Sequence, residues 1–327
     1  MSGSVVPPGV RSPAVTVLLT SVGRQVHLVE AFQQANCRVV ATDCDELAAG
    51  LAVADRGFVS PPFTDPAFRQ WLLRHCGEQS IDGLISLHTD ELAVIQGFRK
   101  ELQAIGVHVL GMPMENLERC IDKSRLHEVS EGTGFVVPRT WDVTRFDEIS
   151  ADAYPLVVKA VAGRGSRGLA FASDAAELAA HLRKAAPGTW LAQEFVQGVE
   201  YGVDLVNDLE GTPRAVLQRK KARMRNGETD IAETVSDTDI SLAGKRLAAR
   251  LQHSGLVDTD IIQSPEGLFL LDVNPRFGGG YIFNHEAGAN VPAAIVAWLA
   301  GNIPDPEVFS YTVGVTHARV STLQRIR

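Results

Sequence analysis

Short apolar runs alternate with helical patterns through the first third of the chain, and this alternation constrains the fold most. Residues 14–19, 38–42, 83–86 and 107–110 are apolar runs, and helical patterns separate them. Strands that alternate with helices at this spacing are typical of a parallel sheet with helices on both faces. The pattern therefore predicts a Rossmann-like α/β domain over residues 14–113.

The rest of the chain is predicted to form four further regions. Residues 1–13 contain Ser, Gly and Pro without an apolar core, which indicates a flexible leader rather than a secretory signal. A linker region follows over residues 114–154, with one helix over residues 116–131. Strand and turn patterns predict a small α/β lid over residues 155–196. Antiparallel patterns over residues 197–327 predict an α+β domain, so the whole chain is expected to be α/β with an α+β C-terminal half.

The composition excludes several classes of protein. Apolar residues make up 45% of the chain and charged residues 21%, which is typical of a globular protein and excludes a disordered one. The net charge of −8 argues against nucleic-acid binding through phosphate neutralisation. Apolar stretches are too short to cross a bilayer. The four cysteines form no Cys-x-x-Cys pair, so we expect reduced thiols in a cytoplasmic protein.

A glycine-rich turn follows the strand that ends at Lys159. Glycine lets backbone N–H groups approach phosphate oxygens where a side chain would block them. The turn is not a Walker A loop, because it has no Gly-Lys-Ser/Thr. The alternative is a glycine-rich hairpin with a solvated basic tip. The residues of this turn are Gly163, Arg164, Gly165, Ser166, Arg167 and Gly168.

Polar side chains with oxygen atoms recur on two neighbouring predicted strands. Asp272 and Asn274 lie two residues apart, as do Asp258 and Asp260, so each pair projects from one face of its strand. Hard oxygen donors of this kind are what Mg²⁺ requires, with phosphate oxygens and water completing its octahedron. A solvent-facing polar stripe is the alternative, and the apolar neighbours of Asp272 count against it.

A third feature lies where the lid meets the C-terminal domain. A strand that leaves one domain through a Gly-containing joint can offer backbone groups to a purine edge. Glu200 follows and can accept from ribose hydroxyls, as acidic residues do in dinucleotide folds. An interdomain hinge is the alternative. The joint contains Gln193, Glu194, Phe195, Val196 and Glu200.

The order and spacing of these features resemble the ATP-grasp superfamily. The similarity is closest to its carbamoyl-phosphate-synthase-like and D-alanine–D-alanine-ligase-like carboxylate–amine ligases. It covers about residues 14–300, and the Asp-Val-Asn-Pro-Arg-Phe-Gly-Gly-Gly stretch at 272–280 is its most specific part. The resemblance implies an ATP-grasp fold with an N-terminal Rossmann-like pre-ATP-grasp domain. ATP is then expected between the lid and the C-terminal domain.

The resemblance also implies roles in nucleotide binding. Lys123 and Lys159 would contact the α- and β-phosphates, while residues 163–168 would close over the triphosphate. Gln193, Glu194 and Val196 would frame adenine, with Phe195 packing nearby and Glu200 holding ribose.

The same resemblance implies a metal site and further cationic contacts. Asp260, Asp272 and Asn274 would hold one or two Mg²⁺ ions, with Mn²⁺ as an alternative. Many relatives have Glu where this chain has Asp272, and a one-residue slip would make Asp258 the ligand instead. Arg276 would neutralise the transferring phosphoryl group. Arg219, Lys220 or Lys221 would supply one more phosphate contact, and the sequence does not choose among them.

The expected activity is ATP-dependent ligation of a small-molecule carboxylate and an amine, through an acyl phosphate and with release of ADP and phosphate. Loops after two strands of the N-terminal domain and a glycine run are candidates for substrate binding. The resemblance also suggests a homodimer formed through the pre-ATP-grasp domain. The candidate substrate residues are Arg24, Asp90, Glu91, Gly279, Gly280 and His285.

Three other activities fit the sequence less well. A nicotinamide-dependent dehydrogenase would use Gly23 and Asp43, but the chain has one glycine where the G-x-G-x-x-G fingerprint needs three. A non-catalytic ATP-binding protein would not require the lysines and metal ligands. Carboxyphosphate chemistry on bicarbonate ranks behind amide formation.

Overall fold

The computed structural model describes residues 15–142, 148–161, 169–183 and 189–326. The predicted leader at residues 1–13 and the glycine-rich turn at residues 163–168 lie outside this described part of the chain.

The N-terminal domain contains a five-stranded parallel sheet with strand order β3-β2-β1-β4-β5, which confirms the predicted Rossmann-like architecture. The order reverses between β1 and β4, and ligands bind at the carboxyl ends of strands beside such a switch point. The strands are β1 Thr16–Thr20, β2 Arg38–Asp43, β3 Arg56–Val59, β4 Gly83–Ser86 and β5 His108–Leu110. The helices are α1 Val26–Gln34, α2 Ala49–Val53, α3 Phe68–Gln79, α4 Thr89–Gln96 and α5 Arg99–Ala104.

The segment after Pro113 is not the single helix that was predicted over residues 116–131. Helix α6 spans Met114–Ile121, a 3₁₀ turn follows at Lys123–Arg125, and α7 spans Leu126–Ser130. Asp122 causes the break, because its extended backbone ends α6 while its carboxylate accepts from the Ser124 N–H at 3.0 Å. The turn places Lys123 beside the C-terminal sheet rather than on a continuous helix.

The lid contains a four-stranded antiparallel sheet with strand order β7-β10-β8-β9. Strand β7 lies in the region that was predicted to be a linker, residues 114–154. The sequence pattern there predicted one helix and no strand. A small separate core beneath the sheet contains Leu156, Val158 and Leu178. The strands are β7 Thr140–Asp142, β8 Leu156–Ala160, β9 Ala170–Ala172 and β10 Trp190–Glu194. The helical segments are the 3₁₀ turn Ala151–Ala153 and α8 Ala175–Leu182.

The C-terminal domain contains a seven-stranded sheet with strand order β16-β13-β12-β11-β14-β15-β6. Long antiparallel strands at its centre position the site described below, and α9 packs on one face. The strands are β6 Phe135–Val136, β11 Val199–Asn207, β12 Pro213–Arg225, β13 Glu228–Val235, β14 Gly255–Ser264, β15 Gly267–Asn274 and β16 Thr316–Ala318. The helical segments are α9 Thr238–Leu251, α10 Tyr281–Glu286, α11 Val291–Leu299 and the 3₁₀ turn Pro306–Phe309.

The N-terminal and C-terminal domains share two hydrophobic cores. One contains Leu18 together with Leu205, and the other contains Phe32 together with Phe277, so both sheets are anchored to each other. The lid has a core of its own, which makes it the unit that can move separately. No helix in the described part of the chain is long and apolar enough to cross a membrane.

Candidate functional site

The carboxylates predicted on two neighbouring strands meet where β14 pairs with β15 in the C-terminal sheet. The register of β14 and β15 places Asp260 opposite Asp272 and Asp258 opposite Asn274. The structure therefore brings together the three residues predicted to bind metal, because directly opposed residues on antiparallel strands project from the same face.

Three lysines reach this group of carboxylates from different elements. Lys123 Nζ lies 2.9 Å from Asp272 Oδ1. Lys221 Nζ, from β12, lies 2.6 Å from Asp260 Oδ1 and 2.7 Å from Glu200 Oε1. Lys159 Nζ crosses from the lid and donates to the Leu271 carbonyl at 3.2 Å. The cleft between the lid and the C-terminal sheet is thus lined by alternating cations and carboxylates.

The pKa values of these groups differ because their partners differ. Burial is the main reason that the pKa of Lys159 falls to about 8, and neighbouring Lys123 adds to the effect while Asp272 opposes it. Burial acts in the same direction on Lys221, but Asp260 and Glu200 outweigh it and raise that pKa. Lys221 in turn lowers the pKa of Asp260 against the effect of burial. Lys159 is therefore the cation with the least compensation, which is the property expected of a group that awaits an anion.

The donor set fits a metal ion that is shared with phosphate. Asp260 and Asp272 offer carboxylate oxygens, and Asn274 adds an amide. Mg²⁺ typically takes one or two carboxylates and completes its octahedron with phosphate oxygens and water. Within the described ranges, no three His, Cys, Asp or Glu side chains come together as a metal cage of their own.

Asp258 is held by a buried arginine, which separates it from the metal candidates. Arg219 Nη2 donates to Asp258 Oδ1 at 2.5 Å, and Arg219 Nη1 donates to Asp204 Oδ2 at 2.5 Å. Arg219 is 1% exposed, and Asn284 Oδ1 lies 3.3 Å from its Nη1. Burial and the neighbouring Asp258 raise the pKa of Asp204 to about 7, against the opposing effect of Arg219.

The basic run on β12 divides between the two faces of the sheet. Arg219 and Lys221 lie on the face of the carboxylates, whereas Lys220 alternates to the other face. Gln218 shares the face of Lys220 and donates to Ser241 on α9. The structure therefore brings Arg219 and Lys221 to the cleft face and does not bring Lys220 there, which does not support the role suggested for Lys220. Strand alternation in the sequence indicated that Lys220 lies on the opposite face from Arg219 and Lys221. It did not indicate which of the two faces lines the cleft.

Two of the three glycines at residues 278–280, Gly278 and Gly280, approach charged side chains too closely to carry a β-carbon without a shift of those side chains. A β-carbon on Gly278 would lie 2.2 Å from Asp258 Oδ2, and one on Gly280 would lie 2.4 Å from Arg219 Nε. Arg219 thus supports this glycine loop (residues 278–280) from below. The glycines were visible in the sequence, but the buried ion pairs beneath them were not.

Arg276 follows β15 at the edge of the same cleft. Its Nη1 donates to the Phe277 carbonyl at 3.0 Å. Its Nε is buried and has no hydrogen-bond partner among the described residues. The Arg276 guanidinium lies close enough to Asp258 to oppose the rise in the pKa of that carboxyl. A guanidinium with an unused donor is suited to an incoming anion.

The joint between β10 and β11 has a more constrained geometry than its sequence indicated. The Gln193 side chain is buried and donates to Thr140 Oγ1 at 3.0 Å. Glu194 and Phe195 are exposed, Val196 is half-buried, and Phe195 packs edge to face against Phe171 with ring centroids 5.8 Å apart. The backbone of this joint and its aromatic pair can border a purine. Gln193 can contact a purine only through its backbone, because its side-chain amide already donates to Thr140.

The candidate substrate residues divide into accessible and structural ones. The Glu91 carboxylate is buried and accepts from Thr20 Oγ1 and Ser86 Oγ at 2.5 Å each, so it links β1 to β4 rather than facing a pocket. His285 Nδ1 contacts Tyr281 Oη at 3.2 Å. Asp90 and Arg24 are exposed.

The loop after β1 is held by the carboxylate that the dehydrogenase alternative would use for its cofactor. Asp43 Oδ2 accepts from the Gly23 N–H at 2.8 Å, so the carboxylate of the dehydrogenase alternative is used to hold the loop.

Comparisons with known proteins agree with this architecture. Residues 17–110 match the family model described as PylC-like, N-terminal domain. Residues 186–323 match the family model described as ATP-grasp in the biosynthetic pathway with Ter operon. Together the two matches include both anchored domains.

Solved structures with the same fold share little sequence identity with the chain. An ADP complex of PurK, an N5-carboxyaminoimidazole ribonucleotide synthetase, is 15% identical with a TM-score of 0.74, covering 95% of this chain and 81% of that one. The biotin carboxylase domain of Hydrogenobacter thermophilus 2-oxoglutarate carboxylase, in complex with MgADP, ADP and bicarbonate, is 16% identical with a TM-score of 0.69, covering 88% and 70%. An L-amino acid ligase from Bacillus licheniformis is 18% identical with a TM-score of 0.66, covering 88% and 75%.

Proposed function

Residues 186–323 match an ATP-grasp family model, and from that premise we propose that the chain is an ATP-dependent ligase that joins a carboxylate to an amine through an acyl phosphate. The products are an amide, ADP and inorganic phosphate, and the substrates are amino-acid-like. ATP and Mg²⁺ occupy the cleft between the lid and the C-terminal sheet.

The observation that carries this proposal is the charge arrangement of the cleft. Two carboxylates on adjacent strands are each paired with a lysine, Asp272 with Lys123 and Asp260 with Lys221. Lys159 reaches over them from the lid with a lowered pKa. The magnesium complex of a triphosphate likewise combines a cation with anionic oxygens. The carboxylates can therefore bind the metal ion while the lysines bind phosphate oxygens.

The first step activates the carboxylate. A substrate carboxylate oxygen attacks the γ-phosphorus of ATP, the bond to the β-γ bridging oxygen breaks, and ADP leaves. Lys123 and Lys159 stabilise charge on the phosphates, and Arg276 stabilises the transferring phosphoryl group. Asp260, Asp272 and Asn274 would hold Mg²⁺, which would neutralise phosphate charge. Positioning and charge neutralisation supply the catalysis, so no nucleophilic side chain is needed.

The second step forms the amide. The neutral amine attacks the acyl carbon, phosphate leaves with the former carboxylate oxygen, and the amine loses one proton. The glycine loop at residues 278–280 offers N–H groups to the tetrahedral oxyanion. Arg219 fixes that loop from beneath, since its guanidinium contacts both Asp204 and Asp258.

A product analysis tests the proposal. The purified chain is incubated with MgATP and pairs of amino acids or small carboxylates and amines, and the nucleotide products are separated. ADP that forms only when both a carboxylate and an amine are present supports ligation. AMP with pyrophosphate would assign the chain to adenylation instead.

Two variants test the assigned residues. Lys159→Ala and Asp272→Ala are each expected to reduce turnover by orders of magnitude while the circular-dichroism spectrum stays unchanged. Lys100→Ala, on the N-terminal domain, is the matched control and keeps full turnover. Near-normal turnover in either cleft variant would remove the role assigned to that residue.

A further inference from the structure

Four basic side chains converge where the N-terminal domain meets the glycine loop. Arg24 lies just before α1, His27 on its first turn, His285 on α10 and Arg319 directly after β16. His27 is close enough to the other groups that Arg319 and His285, together with burial as the larger cause, lower its pKa to about 4.

One acidic residue links the two arginines. Glu228 Oε2 lies 2.8 Å from Arg319 Nη1, and Glu228 Oε1 lies 3.7 Å from Arg24 Nη2. The Arg24 side chain is 91% exposed, so its long ion pair with Glu228 is weak and readily exchanged. Arg319 is fixed more firmly, because its backbone N–H donates to the Asp230 carbonyl at 2.8 Å.

The basic group borders the glycine loop on the side away from Arg219. Arg319 Nη2 donates to the Gly279 carbonyl at 2.5 Å. A β-carbon on Gly279 would lie 3.4 Å from that nitrogen, whereas β-carbons on Gly278 and Gly280 would point at Asp258 and Arg219. Phe32 of α1 packs edge to face on Phe277 at 6.0 Å, which holds the helix against the loop.

The charge of the group defines the ligand that it fits. At neutral pH Arg24 and Arg319 are cations, Glu228 is an anion, and His27 is neutral. One positive charge is left over among these four side chains, which a monoanion neutralises. A phosphate monoester dianion would leave one negative charge in excess. The two guanidinium groups also match the bidentate geometry of a carboxylate.

We propose that Arg24, His27 and Arg319 form a subsite beside the glycine loop for the free carboxylate of an amino-acid substrate. The assignment rests on the proposed ligase function, because the glycine loop also borders the cleft in which the acyl group is activated. When the substrate binds, Arg24 turns from Glu228 to the carboxylate, while Arg319 keeps its contact with the loop. The subsite therefore selects substrates that carry a carboxylate besides the group that reacts.

Binding without nucleotide tests the subsite separately from turnover. The full chain is titrated calorimetrically with each standard L-amino acid, its carboxamide and O-phosphoethanolamine. At least one amino acid is expected to bind about ten- to a hundredfold more tightly than its carboxamide, the ratio expected for a lost charge-assisted hydrogen bond. Equal affinity of acid and amide, or no binding by any amino acid, would overturn the proposal. Preference for O-phosphoethanolamine would assign the subsite to phosphate and overturn it as well.

Two variants with a matched control complete the test. Arg24→Gln changes an exposed side chain, so the fold is retained, and it should weaken amino-acid binding about ten- to a hundredfold while carboxamide binding stays the same. Arg69→Gln removes another exposed arginine–glutamate pair of the same domain, with Glu101, and should change neither affinity. Unchanged amino-acid affinity in Arg24→Gln would overturn the subsite.

The outcome is distinguishable from failure of the ligase proposal. If amino acids bind through Arg24 but no carboxylate–amine pair yields ADP, the subsite stands and the ligase function fails. If ADP forms while Arg24→Gln keeps the wild-type KM for the amino acid, the ligase function stands and the subsite fails.

Discussion

Removal of Arg219 should expose how strongly the buried carboxylates depend on it. Asp204 and Asp258 are buried, and both contact this one guanidinium at 2.5 Å. Arg219→Gln leaves both without their cation, and breaking a buried ion pair in this way costs about 3–5 kcal/mol. We therefore expect a loss of this size in the free energy of unfolding at pH 8.

The loss should be smaller in acid, because protons can replace the arginine. Burial already raises the pKa of Asp204 to about 7 and raises that of Asp258, while Arg219 opposes both shifts. Without Arg219 both pKa values rise further, so Asp204, whose pKa is already about 7, is neutral at pH 5.5 and Asp258 is protonated more readily. A group whose pKa is higher in the folded state than in the unfolded state adds to the free energy of unfolding at low pH. That contribution is lost as the pH rises through the pKa of the folded state.

Urea unfolding followed by circular dichroism at pH 5.5 and pH 8 measures both quantities. Arg69→Gln, which removes an exposed ion pair, is the control and should cost less than about 1 kcal/mol at either pH. A loss below about 1 kcal/mol for Arg219→Gln, or the same loss at both pH values, would refute the reasoning.

Three further predictions concern the lysines of β12 and the lid and a buried histidine. Lys221→Ala should weaken MgADP binding at least tenfold while Lys220→Ala leaves it within twofold, measured by calorimetry, and equal effects would contradict the assignment of faces. MgADP affinity should fall as pH rises above about 8, which is the pKa of Lys159 in the free protein, because an uncharged lysine attracts phosphate less. An MgADP affinity that stays constant from pH 7 to pH 9 would contradict this prediction. Neutral His253 donates from Nε2 to the Leu205 carbonyl at 3.0 Å, and burial lowers its pKa to about 4. Because the unfolded state then binds more protons, stability should fall by up to about 3 kcal/mol as pH drops from 6.5 to 4, and His253→Gln should flatten that part of the urea-unfolding profile.

Local patterns were sufficient to predict the order of elements and much of the site. Apolar runs separated by helices predicted the parallel sheet, since period and spacing are properties of neighbouring residues. Strand alternation alone predicted that Asp272 and Asn274 project from the same face of β15. The pairing of Asp260 with Asp272 required the register of two strands, which the sequence left open between Asp260 and Asp258.

The remaining features depend on contacts between residues that are distant in sequence. Arg219 meets Asp204 and Asp258 only through the packing of three strands, so strand alternation could indicate its face but not its partners. Glu91 looked like a substrate contact because it follows a strand, but buried hydroxyls on β1 and β4 take its carboxylate. The break at Asp122 likewise depends on one carboxylate that bonds a nearby backbone N–H in preference to helix continuation.

Oxygen transfer during turnover tests the central claim most directly. The carboxylate substrate found in the product screen is labelled with ¹⁸O at both oxygens, and the released inorganic phosphate is analysed by mass spectrometry. Activation as an acyl phosphate predicts one ¹⁸O atom in each phosphate, because the carboxylate oxygen that attacked phosphorus leaves with it. Unlabelled phosphate, with one ¹⁸O atom in the amide and the other in AMP, would contradict phosphoryl transfer to the carboxylate.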